Sequence, residues 1–417
     1  MTPAHLPERL TISLWDFSWY TRAGAGEPYA DLDAVFAETV ERGYNAVRIC
    51  AAPLLTFGGL GLDPRITVSG LGDAPDGGRY GRGTRWYDVP GSYEIDVRER
   101  LIELLRSAAR HGVVVVLASW EYQQSPAFAA TPDWWNAIDA VPLDDRYDVL
   151  AAAFDRMLGA FDAEGLLESV AFTELHNEVD FSRVPPFGDR GARAVEWLES
   201  RHPTQLVSAS YGKPPHLDMA SVSPAMRVAQ FHIYTYGVLD ALQKRIDLRS
   251  EGTAGFPNAE LRSLLVDGAP SFADYGRPES WRMDATVITD QMVYGYDFID
   301  PAKWDAWLLE RYPAYRDEMH SEMAARITGV AEWARSRGVP QVIGEGWIGY
   351  TPLFGDFEEG AAGLELAEHG IRTALAAGAW GMVLCSNAAP HHPMWSNLEW
   401  QQRMNAEILA HAAQRAA

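Results

Sequence analysis

The chain has 417 residues, 47% of them hydrophobic, and its 57 acidic against 35 basic side chains leave a net charge of −22 and a pI near 4.9. That length supports one large core, and that charge argues against nucleic acid or an anionic membrane as a partner. No apolar run approaches the roughly 20 residues of a membrane span. The first ten residues hold no basic region followed by an apolar stretch, so a cytoplasmic protein is expected. The two cysteines, Cys50 and Cys385, end apolar runs outside any metal-binding spacing and read as buried thiols.

Residues 10–15 (Leu-Thr-Ile-Ser-Leu-Trp) form the first predicted strand. A helix over 31–42 follows, capped by Asp31 and closed by Gly43, and then a strand over 44–50. Segment 51–94 is rich in Gly, Asp and Pro, and a loop that long within a compact domain usually carries function. A helix over 96–111 ends at Gly112. The next strand, 113–120, is almost continuously apolar, as a strand buried on both faces should be. A helix over 145–163 leads to the fourth strand, 170–180, where Val170, Phe172, Glu174, His176 and Glu178 share one face at period two. A helix over 189–201 and strands over 205–210 and 226–234 come next. From 235 to 318 the rhythm breaks, with short helices near 240–249 and 302–310. A helix over 322–337, a strand over 341–345, a helix over 361–377, a strand over 380–386 and a helix over 397–413 complete the chain.

Eight strands alternating with helices predict a (β/α)8 TIM barrel, read as one catalytic domain over 1–417. Insertions at about 51–94 and 235–318 follow strands, so they should wall the carboxyl-end face, where such barrels keep their active sites. The nucleotide-binding glycine motifs are missing, which disfavours an open dinucleotide-binding sheet.

Two glutamates, Glu178 and Glu345, end apolar strands far apart in sequence. A pair of carboxyl groups is what glycosidic bond cleavage requires: one protonates the leaving oxygen, the other attacks the anomeric carbon or activates water. Gly344 and Gly346 bracket Glu345 and would let backbone or ligand approach closely. Glu174 lies deeper, and pairing with Arg48 inside the barrel suits it better than catalysis. The 15 tryptophans and 17 tyrosines exceed the needs of a core, so loop tryptophans read equally as sugar platforms or as packing.

These residues resemble a family. Glu-Leu-His-Asn-Glu at 174–178 is similar to the acid/base strand of cellulase-like clan A glycoside hydrolases, the retaining family 5-like barrels, and Val-Ile-Gly-Glu-Gly at 342–346 is similar to their nucleophile strand. Asn-Ala-Val-Arg-Ile at 45–49 resembles their second strand, and Phe-His-Ile-Tyr at 231–234 their sixth. The resemblance implies Glu178 as acid/base and Glu345 as nucleophile, with no metal or cofactor. Asn177 would bind the sugar hydroxyl beside the anomeric carbon, Arg48 and Tyr234 would hold Glu345 ionised, and His232 would stand near both carboxylates. The sequence departs from the pattern in three places. Val179 replaces a proline, the third strand ends in Trp120-Glu121 rather than histidine, and Ser386 and Asn387 end the eighth strand in place of tryptophan. Trp120 and Asn387 therefore join the candidate substrate-binding residues, and the departures bear on the sugar rather than the reaction.

Other residues keep two readings. Asp16 binds a sugar hydroxyl or caps its loop, Trp347 is a sugar platform or core, and His176 tunes the acid/base or bonds within the barrel. His391 and His392, adjacent on an extended chain, would point opposite ways, which suits a solvent or pocket role better than metal binding. Long loops over the site suggest a walled pocket and exo-action on short oligosaccharides or glycosides, a small carbohydrate being the expected partner. A transglycosidase using the same carboxylates and a non-catalytic sugar-binding barrel are the rival readings. Oligomeric state is not legible from the sequence.

Overall fold

The computed structural model describes residues 2–249, 254–349 and 351–411. Its strands are β1 (Leu10–Asp16), β2 (Ala46–Cys50), β3 (Val114–Ala118), β4 (Val170–Glu174), β5 (Val207–Ser208 and Ser210–Tyr211), β6 (Ala229–Tyr234), β7 (Gln341–Trp347) and β8 (Gly381–Val383). All pair in parallel. β8 pairs with β1, and the two halves of β5 pair with β4 on one side and β6 on the other, so the eight strands close into a barrel. Closure leaves no sheet edge to protect.

The helices between strands sit where capping chemistry directs. Helix α1 (Leu32–Glu41) starts at Asp31, whose carboxylate accepts from Ala34 N, and α2 (Val97–His111) starts at Asp96, which accepts from Glu99 N. Gly112 ends α2 at φ 66°, a left-handed cap that a side chain would strain. Helices α3 (Arg146–Ala163), α4 (Gly188–Arg201), α5 (Pro301–Arg337), α6 (Ala361–Ala377) and α7 (Leu398–Ala410) complete the ring of helices. The end of the helix expected over 397–413 lies outside the described residues.

Two expectations change. The helices expected over 302–310 and 322–337 are one helix of 37 residues that runs through Pro313. The stretch between them lacks apolar periodicity, but buried Tyr312 and Met319 hold it against the barrel. The insertion after β6 therefore ends near Asp300. Secondly, β4 stops at Glu174, and the chain turns before Asn177. Glu178 has φ 45°, and φ is likewise positive at Asp16 (43°), the last residue of β1, and at Ala52 (45°), two residues past β2. Left-handed non-glycine residues cost about 1–3 kcal/mol each and cluster at functional sites, and here they mark the carboxyl ends of three strands.

The two long insertions meet over that face. The first carries a short antiparallel pair, Arg65–Val68 with Tyr93–Asp96. The second, of which residues 250–253 lie outside the described set, folds around an aromatic cluster that includes Phe256, Phe272, Tyr275 and Tyr294. Asp297 of the second insertion accepts from Gly81 N (2.8 Å) and Gly83 N (2.7 Å) of the first. Arg282 donates to the Gly70, Ala127 and Ala129 carbonyls. Both insertions reach the cavity at the strand ends, the first through Trp86 and the second through Tyr236, Val287 and Met292, so both stand on the expected face. No helix among the described residues is long and apolar enough to cross a membrane.

Candidate active site

Arg48 organises the floor of this cavity. It projects from β2 into the barrel with its side chain wholly buried. Its guanidinium takes Glu174 in a fork, Nε to Oε1 and Nη2 to Oε2, both at 2.8 Å. Nη1 donates to Glu345 Oε1 at 2.8 Å and Nη2 to Asn177 Oδ1 at 2.6 Å. Trp120 lies under the guanidinium, 4.5 Å from ring centroid to Cζ. Burial alone would lower the pKa of Arg48, but Glu174 and Glu345 outweigh it and raise the value. One cation thus holds one deep carboxylate and one at the cavity, and Gln230 supplies Glu174 with a further donor at 2.9 Å.

Glu345 ends β7. Its second oxygen accepts from Tyr234 OH at 2.6 Å, and Tyr234 in turn meets Ser386 Oγ at 3.0 Å. The flanking glycines serve the neighbouring strand rather than a ligand. A Cβ at Gly344 would stand 2.0 Å from Gln230 Nε2, and one at Gly346 would stand 3.2 Å from the Ile233 carbonyl.

Glu178 sits on the turn after β4. Its Oε2 accepts from Gln123 Nε2 at 2.7 Å, and its Oε1 meets His232 Nδ1 at 2.8 Å. Burial raises the Glu178 pKa, with Gln123 and Arg48 opposing. Burial also pushes His232 down to about 4, so the imidazole facing Glu178 is neutral near pH 7. His232 Nδ1 also stands 3.6 Å from Glu345 Oε1. One carboxylate oxygen of Glu178 and one of Glu345 lie within 4.8 Å of each other. With His232 these atoms have the reach to hold a cation, but the Arg48 guanidinium bonded to Glu345 sets a positive charge against one.

The cavity has a volume of about 610 Å³ and is lined by Asp16, Trp120, Asn177, Glu178, Tyr234 and Glu345 among others. Arg48 and His232 lie beneath it. Asn177 uses both ends of its amide, accepting from Arg48 and donating to Gln123 Oε1 at 2.7 Å. Asp16 caps its loop: Oδ1 accepts from Ser18 N (2.6 Å) and Ser18 Oγ (2.7 Å), while buried Oδ2 has no partner. Burial, opposed by the Ser18 bonds, raises the Asp16 pKa to about 8.

Several expected residues stand elsewhere. Trp347 is buried away from the cavity, its indole N–H bonded to the Leu384 carbonyl and its ring packed where a Cβ at Gly370 would clash. It is core, because the strand turns its side chain outward to the helices. Asn387 is also outside the cavity lining and donates to Glu359 at 2.7 Å. His176 does not share a face with Glu178, since the strand has ended. Its Nε2 accepts from Tyr122 N at 3.1 Å. The His391 and His392 rings do not diverge but lie 3.9 Å apart on a turn, both buried. Glu121 accepts from Leu54 N, Leu55 N, Trp134 and Ser119, which ties it to the start of the short helix Pro53–Phe57.

Gln123, Ser210 and Trp86 were not singled out in the sequence. Ser210 Oγ accepts from Glu178 N at 3.0 Å and fixes the turn. Gln123 follows β3 by five residues in a loop that carries no periodic signal. Trp86 belonged to the loop tryptophans with two readings, and it lines the cavity.

The family described as sugar-binding cellulase-like matches residues 12–230 and 257–409, most of the chain. The chain belongs to that cellulase-like family. Its barrel has the family 5-like clan A glycoside hydrolase fold, and it is a glycosidase-type enzyme. A solved structure from Parabacteroides distasonis, itself only provisionally assigned as a glycoside hydrolase, is 19% identical, with 99% of this chain and 96% of that one covered at a TM-score of 0.68. At that identity the likeness speaks for the shared fold. An endo-beta-1,4-mannanase from Thermotoga petrophila is 11% identical, with 97% of this cellulase-like chain and 78% of that one covered at a TM-score of 0.48. No curated protein matches the chain.

Proposed function

We propose that this cellulase-like barrel is a retaining glycoside hydrolase working by double displacement, with Glu178 as acid/base and Glu345 as nucleophile. The observation that carries this reading is that one carboxylate oxygen of Glu178 and one of Glu345 lie within 4.8 Å of each other. Retaining enzymes hold their carboxyl groups about 5–5.5 Å apart, whereas inverting ones need about 6.5–9.5 Å to admit a water.

The two environments divide the labour. Glu345 accepts from Arg48 and Tyr234, donors that favour a charged nucleophile. Glu178 is held toward its protonated form by burial, as a general acid must be. In the first step Glu345 bonds to the anomeric carbon while the Glu178 proton passes to the departing oxygen. In the second, Glu178 takes a proton from water as the water oxygen displaces Glu345. Asn177, fixed between Arg48 and Gln123, is placed to bond the sugar hydroxyl beside the reacting carbon.

The walled cavity favours exo-action on short oligosaccharides or glycosides, with the chain working as one catalytic domain and without a cofactor. Two free, buried cysteines fit a reducing, cytoplasmic setting. The test follows the first product by NMR as an aryl glycoside is cleaved. The sugar should be released with the anomeric configuration it had in the substrate. Release of the opposite anomer would make the enzyme inverting, with Glu345 as a base.

A further inference from the structure

We propose that the leaving-group side of the cavity is built to receive an anionic group, so that the preferred substrate carries a carboxylate, sulfate or phosphate on its aglycone portion. This rests on the assignment of Glu178 as acid/base, which fixes the side from which the aglycone departs.

The charge around the cavity opposes that of the molecule. The whole chain carries −22, yet Arg183, Lys213, Arg249 and Arg326 all line the cavity. Among the described residues, the carboxylates lining it are Asp16, Glu178 and Glu345, the first buried in its own loop. Arg183 and Lys213 line the cavity alongside Glu178. Arg183 follows Glu178 by five residues. Lys213 follows Gly212, where a Cβ would stand 2.6 Å from Glu178 Oε1. Both cations thus share the cavity into which an oxygen that takes the Glu178 proton departs.

Among the described residues, neither has an ion pair. Buried Arg42, Arg48, Arg85, Arg146, Arg282 and Arg326 each have a carboxylate within 4.0 Å. Arg183, among the described residues, has none: it donates to the Thr286 carbonyl at 2.6 Å and stacks on Trp135, while its Nη1 is buried without a partner. Burial lowers its pKa, the mark of a charge held out of water. Lys213 uses its backbone N–H on Asp180 and extends an exposed side chain with no carboxylate in reach among the described residues. Lys213, Tyr236, Arg249 and Arg326 also line a second cavity of about 610 Å³ that extends from the first between α5 and the helix Val238–Arg245. The second cavity is large enough for a further sugar, and its lining carries both signs of charge, with Lys244 paired to Asp240 and Arg326 to Glu322. Arg183 and Lys213 both line the first cavity, and an anion there would give them the charge-assisted partner they lack.

The test measures binding, which needs no turnover. The probes are 4-carboxyphenyl, 4-sulfophenyl and uncharged 4-carbamoylphenyl 1-thio-β-D-glucopyranosides and mannopyranosides, titrated by calorimetry. Wild type should bind a charged probe about tenfold more tightly than its uncharged partner, and the preference should shrink in high salt. The ratio should fall toward one in Arg183→Gln/Lys213→Gln and persist in Lys213→Arg, with folding of each variant checked by its melting curve. A preference for the carboxylate over the sulfonate would point to uronate-bearing substrates, and the reverse to sulfated or phosphorylated ones. Equal affinities in wild type, no binding of any probe, or a preference unmoved in the double variant would overturn the proposal. A protein that prefers the charged probes but cleaves no glycoside would sink the catalytic reading, and the aglycone assignment with it, while leaving an anion-binding cavity at Arg183 and Lys213.

Discussion

The floor of the cavity and its wall are built on different principles. On the floor, Arg48, Glu174, Glu345 and Asn177 are buried side chains of strands or strand ends, and Arg48 bonds the other three. Their positions follow from barrel register, so shifting one disturbs the rest. The wall comes from loops that no ladder fixes. It holds its shape through a few ties, chiefly Asp297 to the glycine turn and Arg282 to three carbonyls. The floor therefore suits a chemistry that tolerates little change, and the wall suits a choice of substrate that can vary around it.

The largest break should come from the floor. Arg48→Ala leaves Glu174 and Glu345 buried beside no cation, a loss of about 3–5 kcal/mol for an unpaired buried charge. Urea unfolding should report that loss, and activity should fall by about a thousandfold or more because Glu345 would lose the Arg48 donor that positions its Oε1. A variant with wild-type stability would mean that the floor is not the closed network described.

A smaller effect is expected from the wall. Asp297→Ala removes the acceptor for Gly81 N and Gly83 N, costing about 1–3 kcal/mol. It should raise KM more than it lowers kcat, since the reacting carboxylates remain in place. An equal loss in kcat would show that wall and floor are coupled.

The contrast in legibility has the same cause. The floor was readable because its residues sit on strands: burial suggested Glu174 with Arg48, and the family resemblance of the strand motifs implied Tyr234 with Glu345. The turn after β4 was not, because period-two reasoning carried His176 and Glu178 onto one face past the point where the strand ends. Trp347 carried both readings; at period two it would share the face of Glu345, two residues before it, but its bond to Leu384 and its packing at Gly370 hold it in the core. In the wall, Gln123 and Trp86 lie in aperiodic loops whose course depends on distant ties such as Asp297. The break expected between 310 and 322 was a case of Pro313 outweighing two buried side chains in a linear reading.

The smallest effect is a slope. Asp16 faces Ser18, Tyr29, His391 and Glu345, and burial raises its folded pKa to about 8. A raised carboxyl pKa means that the folded state binds the proton more tightly than the unfolded one. The group's contribution is therefore full below about pH 4 and is lost as pH rises toward about 8. Asp16→Asn should remove that loss. Its melting temperature should fall less than that of wild type between pH 5 and pH 9, by a few degrees at most. Parallel curves would mean that Asp16 is ionised in the folded protein.

The central claim, the division of roles between the two glutamates, is tested most directly by azide rescue. Azide fills whichever carboxylate's space has been emptied, and the two spaces lie on opposite faces of the sugar ring. Glu178→Ala, given an aryl glycoside with a good leaving group and azide, should yield a glycosyl azide of retained configuration by NMR. Glu345→Ala should yield one of inverted configuration. The same stereochemistry from both variants, or a near-normal rate in Glu345→Ala without azide, would contradict the assignment.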